Sequence, residues 1–329
     1  MKKTVRVLSI DGGGMRGLIP AIVLSEIENR TGKRISELFD LLAGTSTGGI
    51  ISLALSAPDQ NGKPKYTAAN LVEFYETRLS KIFYRSKIRK VFFFTDYFRP
   101  KYPAKGFEEN IESLIGKTKL SDAIAEVLIP TYEIEKRETI FFKSQKVKDS
   151  TQDDYYMKDV ARATAAAPTF FPAAEITDIE GKTTLHCIDG GTVASDPAMC
   201  AYAEAKNMYP EMDTVILVSL GTGSYTEPIS YMKARGWGLL SWTLPLLGVL
   251  FDGMPDTVEY QLKKILNIKT THQQYFFRFQ LELDKTNDSL DNSSPENIEA
   301  VKKLAYKMIE EKSSMIDEMC RILTEKDPA

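Results

Sequence analysis

The chain opens on a change of hydrophobic period. Val5–Ile10 (VRVLSI) is a β-branched apolar run that stops at the glycine cluster Gly12–Gly14, the form of a short strand ending in a turn. Leu18, Ile19, Ile22, Val23 and Ile27 then recur at spacings of three and four, which puts them on one face of a helix. Pro20 lies near the start of that helix, where proline is tolerated. Phe39–Ala43 (FDLLA) predicts a second strand, broken by Gly44, and Ile50–Leu55 continues as an apolar helix. Strand, glycine turn and helix, twice over, argue for an α/β fold around a largely parallel sheet.

Further strands are expected at Val127–Tyr132, Thr139–Lys143, Leu185–Ile188 and Val215–Leu220. The last, VILVSL, is continuously apolar, as a strand covered on both faces should be. Asp159–Ala167 reads as a short alanine-rich helix that stops at Pro168. Pro295–Leu323 carries Ile298, Val301, Leu304, Met308 and Ile309 on one stripe, which predicts a C-terminal helix packed on the sheet. The linker-like stretches Ser56–Lys65 and Asp284–Pro295 do not divide the chain. One domain over residues 1–329 is expected, with the motif-bearing core at about 5–223. Residues 224–329 are expected to be helical, packed on that core and a candidate lid or lipid-facing surface.

Composition narrows the function. Lys+Arg is 42 and Asp+Glu is 45, a formal charge of −3, which argues against a globally basic nucleic-acid binder. With only His186 and His272, a histidine-rich metal site is excluded. Cys187, Cys200 and Cys320 are too few and scattered for a disulfide framework or a zinc knuckle, and fit a reducing compartment. The opening MKKTVRVLSIDGGG is not read as a signal peptide, since Arg6 breaks its apolar run. Gly236–Phe251, an uncharged apolar stretch that carries Pro245, is short of the ~20 residues that span a bilayer. A cytoplasmic protein, peripheral on membranes at most, is expected.

Three motifs carry candidate chemistry. Gly44-Thr45-Ser46-Thr47-Gly48-Gly49 matches G-x-S-x-G at a predicted strand-to-helix junction. There a serine stands on a sharp turn with its hydroxyl clear of the sheet, and the helix N-terminus favours developing negative charge. The alternative is a tight turn in which Ser46 caps the helix. Asp11-Gly12-Gly13-Gly14-Met15-Arg16-Gly17 bares successive amides, a source of oxyanion donors. Gly12, Gly14 and Gly17 also satisfy the weak dinucleotide pattern G-x-G-x-x-G, but the second strand ends in the serine turn rather than an acidic residue. Asp189-Gly190-Gly191 places a carboxylate at a strand end. It is an ordinary Asp-Gly turn or, beside a serine nucleophile, the base that accepts its proton; partial burial would raise its pKa toward neutrality.

Together these segments resemble the patatin-like phospholipases. DGGGMRG (Asp11–Gly17), GTSTGG (Gly44–Gly49) and DGG (Asp189–Gly191) carry the resemblance. ATAAAPTFFPA (Ala163–Ala173), VILVSLGTG (Val215–Gly223) and, more faintly, SPENIEAVKKLA support it. The resemblance implies a three-layer α/β/α fold with a central, mostly parallel sheet. It also implies a lipid acyl hydrolase with a Ser–Asp dyad, no metal and no cofactor, acting on phospholipids or related glycerolipids through an acyl-serine. Carried over, Ser46 is the nucleophile and Asp189 the base. The amides of Gly12, Gly13 and Gly14, with Arg16 nearby, form the oxyanion hole; Gly44 and Gly48 shape the elbow, and Gly190 and Gly191 the base motif.

Alternatives remain open at this level. Ser46, Asp189 and His272 follow the chain order of an α/β-hydrolase triad. The resemblance also admits a ligand-activated bacterial effector whose small-molecule regulator is unknown, or a catalytically weak lipid-binding or storage protein. Arg78–Lys105 holds nine Lys/Arg, one acid (Asp96) and eight aromatics including Phe92-Phe93-Phe94. That net +8 suits an anionic membrane surface, or else a core with a solvated cationic rim, or a pocket for an anionic regulator. Gly236–Phe251, with Trp237 and Trp242, is a second candidate for an interface, a lid or buried core.

Overall fold

The computed structural model describes residues 4–83, 99–149, 153–224, 228–266, 274–284, 287 and 289–325. His272 and residues 84–98 of the basic aromatic segment, Phe92–Phe94 among them, lie outside the described residues.

Eight strands form one mixed sheet: β1 (Thr4–Ile10), β2 (Leu41–Gly44), β3 (Glu126–Glu133), β4 (Glu138–Lys143), β5 (Ala174–Thr177), β6 (Thr184–Asp189), β7 (Thr214–Leu220) and β8 (Gln274–Phe279). Their order is β5-β6-β3-β2-β1-β7-β8, with β4 also paired to β3. The run β3-β2-β1-β7-β8 is parallel, while β4 and β6 pair antiparallel with β3, and β5 with β6.

Helices cover both faces. On β1, Val5 and Val7 pack in one apolar cluster, while Leu8 and Ile10 pack in the other, the period-two alternation of a strand between two layers. The larger layer holds α1 (Leu18–Thr31), α2 (Thr47–Ser56), α3 (Ala68–Ile82), α4 (Ala104–Ile115) and α5 (Met157–Thr164). The smaller is built from α6 (Ala198–Met208) and the C-terminal end of α7 (Leu239–Leu266), through Ala198, Ala201, Ala205, Leu262 and Leu266. This is the three-layer α/β/α arrangement.

Two expectations are corrected. Pro295–Leu323 is two helices, α8 (Pro295–Glu311) and α9 (Ser313–Thr324), joined at Lys312, and both pack chiefly against α1, outside the sheet. Ser294 caps α8, its Oγ accepting the Asn297 amide at 3.3 Å. Residues 224–329 also supply β8, which continues the parallel run beside β7. Among the described helices, none is long and apolar enough to cross a membrane.

Candidate active site

Register brings the three motifs together. Ile10 pairs with Gly44 across β1 and β2, so the glycine loop after β1 and the serine turn after β2 leave the sheet side by side. Ala43 pairs with Leu128 on β3. Continued past the strand end, that register sets position 46 level with Thr131, and Thr131 pairs with Asp189 at the end of β6. Residues far apart in sequence therefore meet where β1, β2 and β6 end, in the interior of the strand order.

Ser46 has φ 54° and ψ −117°, a backbone conformation non-glycine residues rarely adopt and one that marks functional turns. Its side chain makes no capping bond to α2, so it is not a helix cap. Instead Ser46 Oγ donates to Asp189 Oδ2 at 2.7 Å. Crowding explains the flanking glycines: a Cβ on Gly44 would lie 2.1 Å from the Gly48 carbonyl oxygen, and one on Gly48 would lie 2.2 Å from that of Ile10.

Asp189 is buried. Its Oδ1 accepts the Gly191 amide at 2.7 Å, so both oxygens have fixed partners. Burial raises its carboxyl to about 6, and the hydrogen bonds from Ser46 and Gly191 hold it from rising further. The loop is pinned from α5: the Asp189 and Gly190 amides donate to the Ala166 and Thr164 carbonyls, at 3.1 and 3.0 Å. Thr164 was not foreseen as a site residue. Its hydroxyl accepts the Ser46 amide at 3.0 Å and donates to the Pro130 carbonyl at 2.6 Å, fastening the elbow to β3.

The glycine loop divides its amides. That of Gly12 donates to the Ser195 carbonyl at 2.9 Å, while no hydrogen bond is made by the amides of Gly13 or Gly14 within the described residues. Of the three expected donors, the latter two keep no partner among the described residues and line the cleft. Gly14 has φ +56°, and a Cβ there would lie 2.3 Å from the Leu290 carbonyl oxygen, so glycine is required on both counts. Arg16 lies on the same loop and lines the cleft.

Behind the loop sits a buried ionic cluster that sequence reading missed. Arg278 on β8 grips Asp11 with two parallel hydrogen bonds, Nη1 to Oδ1 at 3.0 Å and Nη2 to Oδ2 at 2.7 Å. It also donates to Ser219 Oγ at 2.8 Å and lies 3.6 Å from Asp196. Burial raises the carboxyls of Asp11 and Asp196, and the Asp11 charge adds to the rise at Asp196; the guanidinium opposes it in each. The aromatic-rich run QYFFRF (Gln274–Phe279) is the sequence feature that could have pointed to this strand.

A cleft of about 310 Å³ joins these parts. Ser46, Asp189, the glycine loop, Glu259 and Arg278 form its polar end; Ile50, Phe74, Ile82, Phe83, Phe107 and Phe171 give it an apolar wall. Where the basic aromatic segment is described, Tyr102 is buried and the partly buried Phe83 stacks edge-on against it at 5.4 Å, and Lys101 pairs with Asp291. His186 does not line the cleft; its ring nitrogens face Glu135 and Glu175, at 3.4 and 3.2 Å. Glu133, Glu135 and His186 are the one cluster of ligand-type side chains within metal-binding reach among the described residues. Both oxygens of Glu133 already accept backbone amides, from Lys136 and His186.

The patatin-like phospholipase family model matches residues 8–202. Patatin-like proteins 4 and 2 of Arabidopsis thaliana are 30% and 31% identical, each over 93% of this chain and 83% of its own length. Among solved structures, VipD from Legionella pneumophila aligns with 96% of this chain and 67% of its own, with a TM-score of 0.47 at 12% identity. Family match and long, even similarity lead to one conclusion: the chain belongs to the patatin-like phospholipase family.

Proposed function

We propose that the protein is a serine-dependent lipid acyl hydrolase that cleaves ester bonds of phospholipids or related glycerolipids with Ser46 and Asp189 as a two-residue catalytic unit. The observation that carries this reading is the 2.7 Å hydrogen bond from Ser46 Oγ to a buried Asp189 whose second oxygen is already occupied by the Gly191 amide. Membership of the family supports lipid acyl hydrolysis as the class of reaction.

In this mechanism the acyl chain lies along the phenylalanine wall and the ester reaches Ser46 at the polar end of the cleft. Ser46 Oγ attacks the carbonyl carbon as its proton passes to Asp189 Oδ2. The tetrahedral oxyanion is met by the amides of Gly13 and Gly14 and by the N-terminus of α2. Collapse expels the alcohol, which takes the proton from Asp189, and leaves acyl-Ser46. Asp189 then accepts a proton from the water that attacks the acyl-enzyme, and returns it to Ser46 Oγ as that oxygen leaves and the fatty acid is released. A carboxyl titrating near 6 is ionised at neutral pH, yet is a stronger base than a solvated aspartate. The strained Ser46 backbone supports catalysis over simple lipid storage, because a binding protein has no need of that conformation. The net +8 of Arg78–Lys105 supports attraction to anionic lipid.

The test is mass spectrometry of a mixed lipid extract before and after incubation with the protein. Free fatty acid and deacylated glycerolipid should accumulate with the wild type and not with Ser46→Ala. Equal lipid profiles for both would leave a lipid-binding protein.

A further inference from the structure

The N-terminal half of α7 and the segment before it are unlike the rest of the chain. Helices of a folded domain turn their apolar stripe inward. Here Leu239, Trp242, Leu246 and Val249 recur at helical spacing, yet Leu239 is 86% exposed, Leu246 48% and Val249 46%. Just upstream, Tyr231 and Met232 are 75% and 70% exposed. Trp237 and Trp242 lean on each other edge to face at 5.2 Å. Among the described residues from 228 to 261, none is buried; the helix enters the core only at Leu262 and Leu266. An exposed apolar area of this extent marks a surface that something covers.

Charge indicates what covers it. From Tyr231 to Phe251 the chain carries Lys233 and Arg235 and no acidic residue. Exposed leucines, paired indoles and cations on the N-terminal side, with the first acid at Asp252 beyond the stripe, match the boundary between acyl chains and anionic headgroups. Position agrees with charge. Beyond Val249 on the same helix, Pro255, Asp256 and Glu259 line the cleft that holds Ser46. A surface that receives the stripe would thus lie along the helix that walls the catalytic cleft.

We propose that the stripe Leu239–Trp242–Leu246–Val249, with Tyr231, Met232 and Trp237, is the lipid-docking surface of this protein: it inserts into the headgroup boundary of an anionic bilayer and delivers substrate from that bilayer to the cleft. The delivery step rests on the acyl-hydrolase reading above. Docking itself does not.

The test uses full-length protein carrying Ser46→Ala, so that vesicles stay intact. Flotation is measured with phosphatidylcholine vesicles and with vesicles containing phosphatidylglycerol, with and without the triple substitution Leu239→Ser, Leu246→Ser and Val249→Ser. The parent should float with the phosphatidylglycerol vesicles and shift its tryptophan emission to the blue. The triple variant, folded by circular dichroism, should lose partitioning on the order of a hundredfold. With Ser46 restored, the triple variant should keep hydrolysis of a water-soluble short-chain ester while losing hydrolysis of vesicle lipid. Equal flotation of parent and variant would overturn the proposal. So would sedimentation showing a dimer that the triple substitution dissolves, because a second copy would then cover the stripe. If the wild type hydrolyses no ester at all, the acyl-hydrolase reading fails, and flotation still decides docking.

Discussion

Arg278 and Asp11 are joined by two parallel hydrogen bonds, 3.0 and 2.7 Å long, across 267 positions of sequence. Asp11 is the first residue after β1 and begins the loop that presents Gly13 and Gly14; Arg278 stands on β8, two strands away. The planar fork fixes the loop in orientation as well as position, which a single ammonium does not. If Gly13 and Gly14 are the oxyanion donors proposed above, Arg278 should act as their positioning residue.

Arg278→Lys should keep the charge and lose the fork. We expect kcat to fall at least about tenfold with KM little changed, since the loop matters most when the oxyanion forms. Arg278→Met strands Asp11 and Asp196 without their cation, and should lower stability by about 3–5 kcal/mol. Steady-state kinetics and denaturant unfolding check both. A proportionate loss for Lys and Met in stability alone would leave Arg278 a purely structural residue.

As the proposed base, Asp189 should set the pH dependence of activity. Its folded-state carboxyl is raised to about 6 by burial, and the proposed mechanism needs it ionised. Activity should therefore hold at neutral pH and fall tenfold per pH unit below about 6. Stability runs the other way. With the folded pKa above the unfolded value of 3.8, the native state binds its proton more tightly. That advantage is fully present below 3.8 and is lost as pH rises through about 6, a difference on the order of 3 kcal/mol. Asp189→Asn should then be inactive yet more stable than wild type at pH 8, with the gap narrowing as pH falls. Unfolding curves at pH 5 and pH 8 test the sign.

Thr164 should matter to catalysis without touching substrate. Thr164→Val keeps the shape and removes the hydroxyl that joins Ser46 to Pro130. The Ser46 amide and the Pro130 carbonyl lose their partner, at a cost of about 1–3 kcal/mol. Thr164→Ser restores the hydroxyl and should recover most of kcat. If valine and serine act alike, the hydroxyl has no positioning role.

The sequence made some of this site legible and hid the rest for physical reasons. Local signals worked where one segment carries the whole device: GTSTGG is a strand end, a turn and a helix start in consecutive residues, and the β1, β2, β3 and β7 runs were apolar enough to read. Interactions between distant segments left no such trace. DGGG marks Asp11 as the start of a glycine loop, but nothing in it names an arginine on a strand near the far end of the chain. Thr164 sat inside a stretch already singled out, and its role appears only when α5 meets both the elbow and β3. The sequence offers the amides of Gly12, Gly13 and Gly14 as donors without distinguishing them. Folding commits Gly12 to Ser195, because that amide faces the loop after β6. The C-terminal stripe predicted one helix; Lys312, with φ −105° and ψ 18°, ends it, and a second helix turns back along α1.

The central claim is that Ser46 is activated by Asp189 and not through a histidine. It is tested most directly by reacting the protein with a fluorophosphonate probe and mapping the adduct by peptide mass spectrometry in wild type, Asp189→Asn and His272→Ala. The account predicts rapid labelling at Ser46 in wild type and His272→Ala, slowed by at least about a thousandfold in Asp189→Asn. Labelling that survives in Asp189→Asn and disappears in His272→Ala would contradict it.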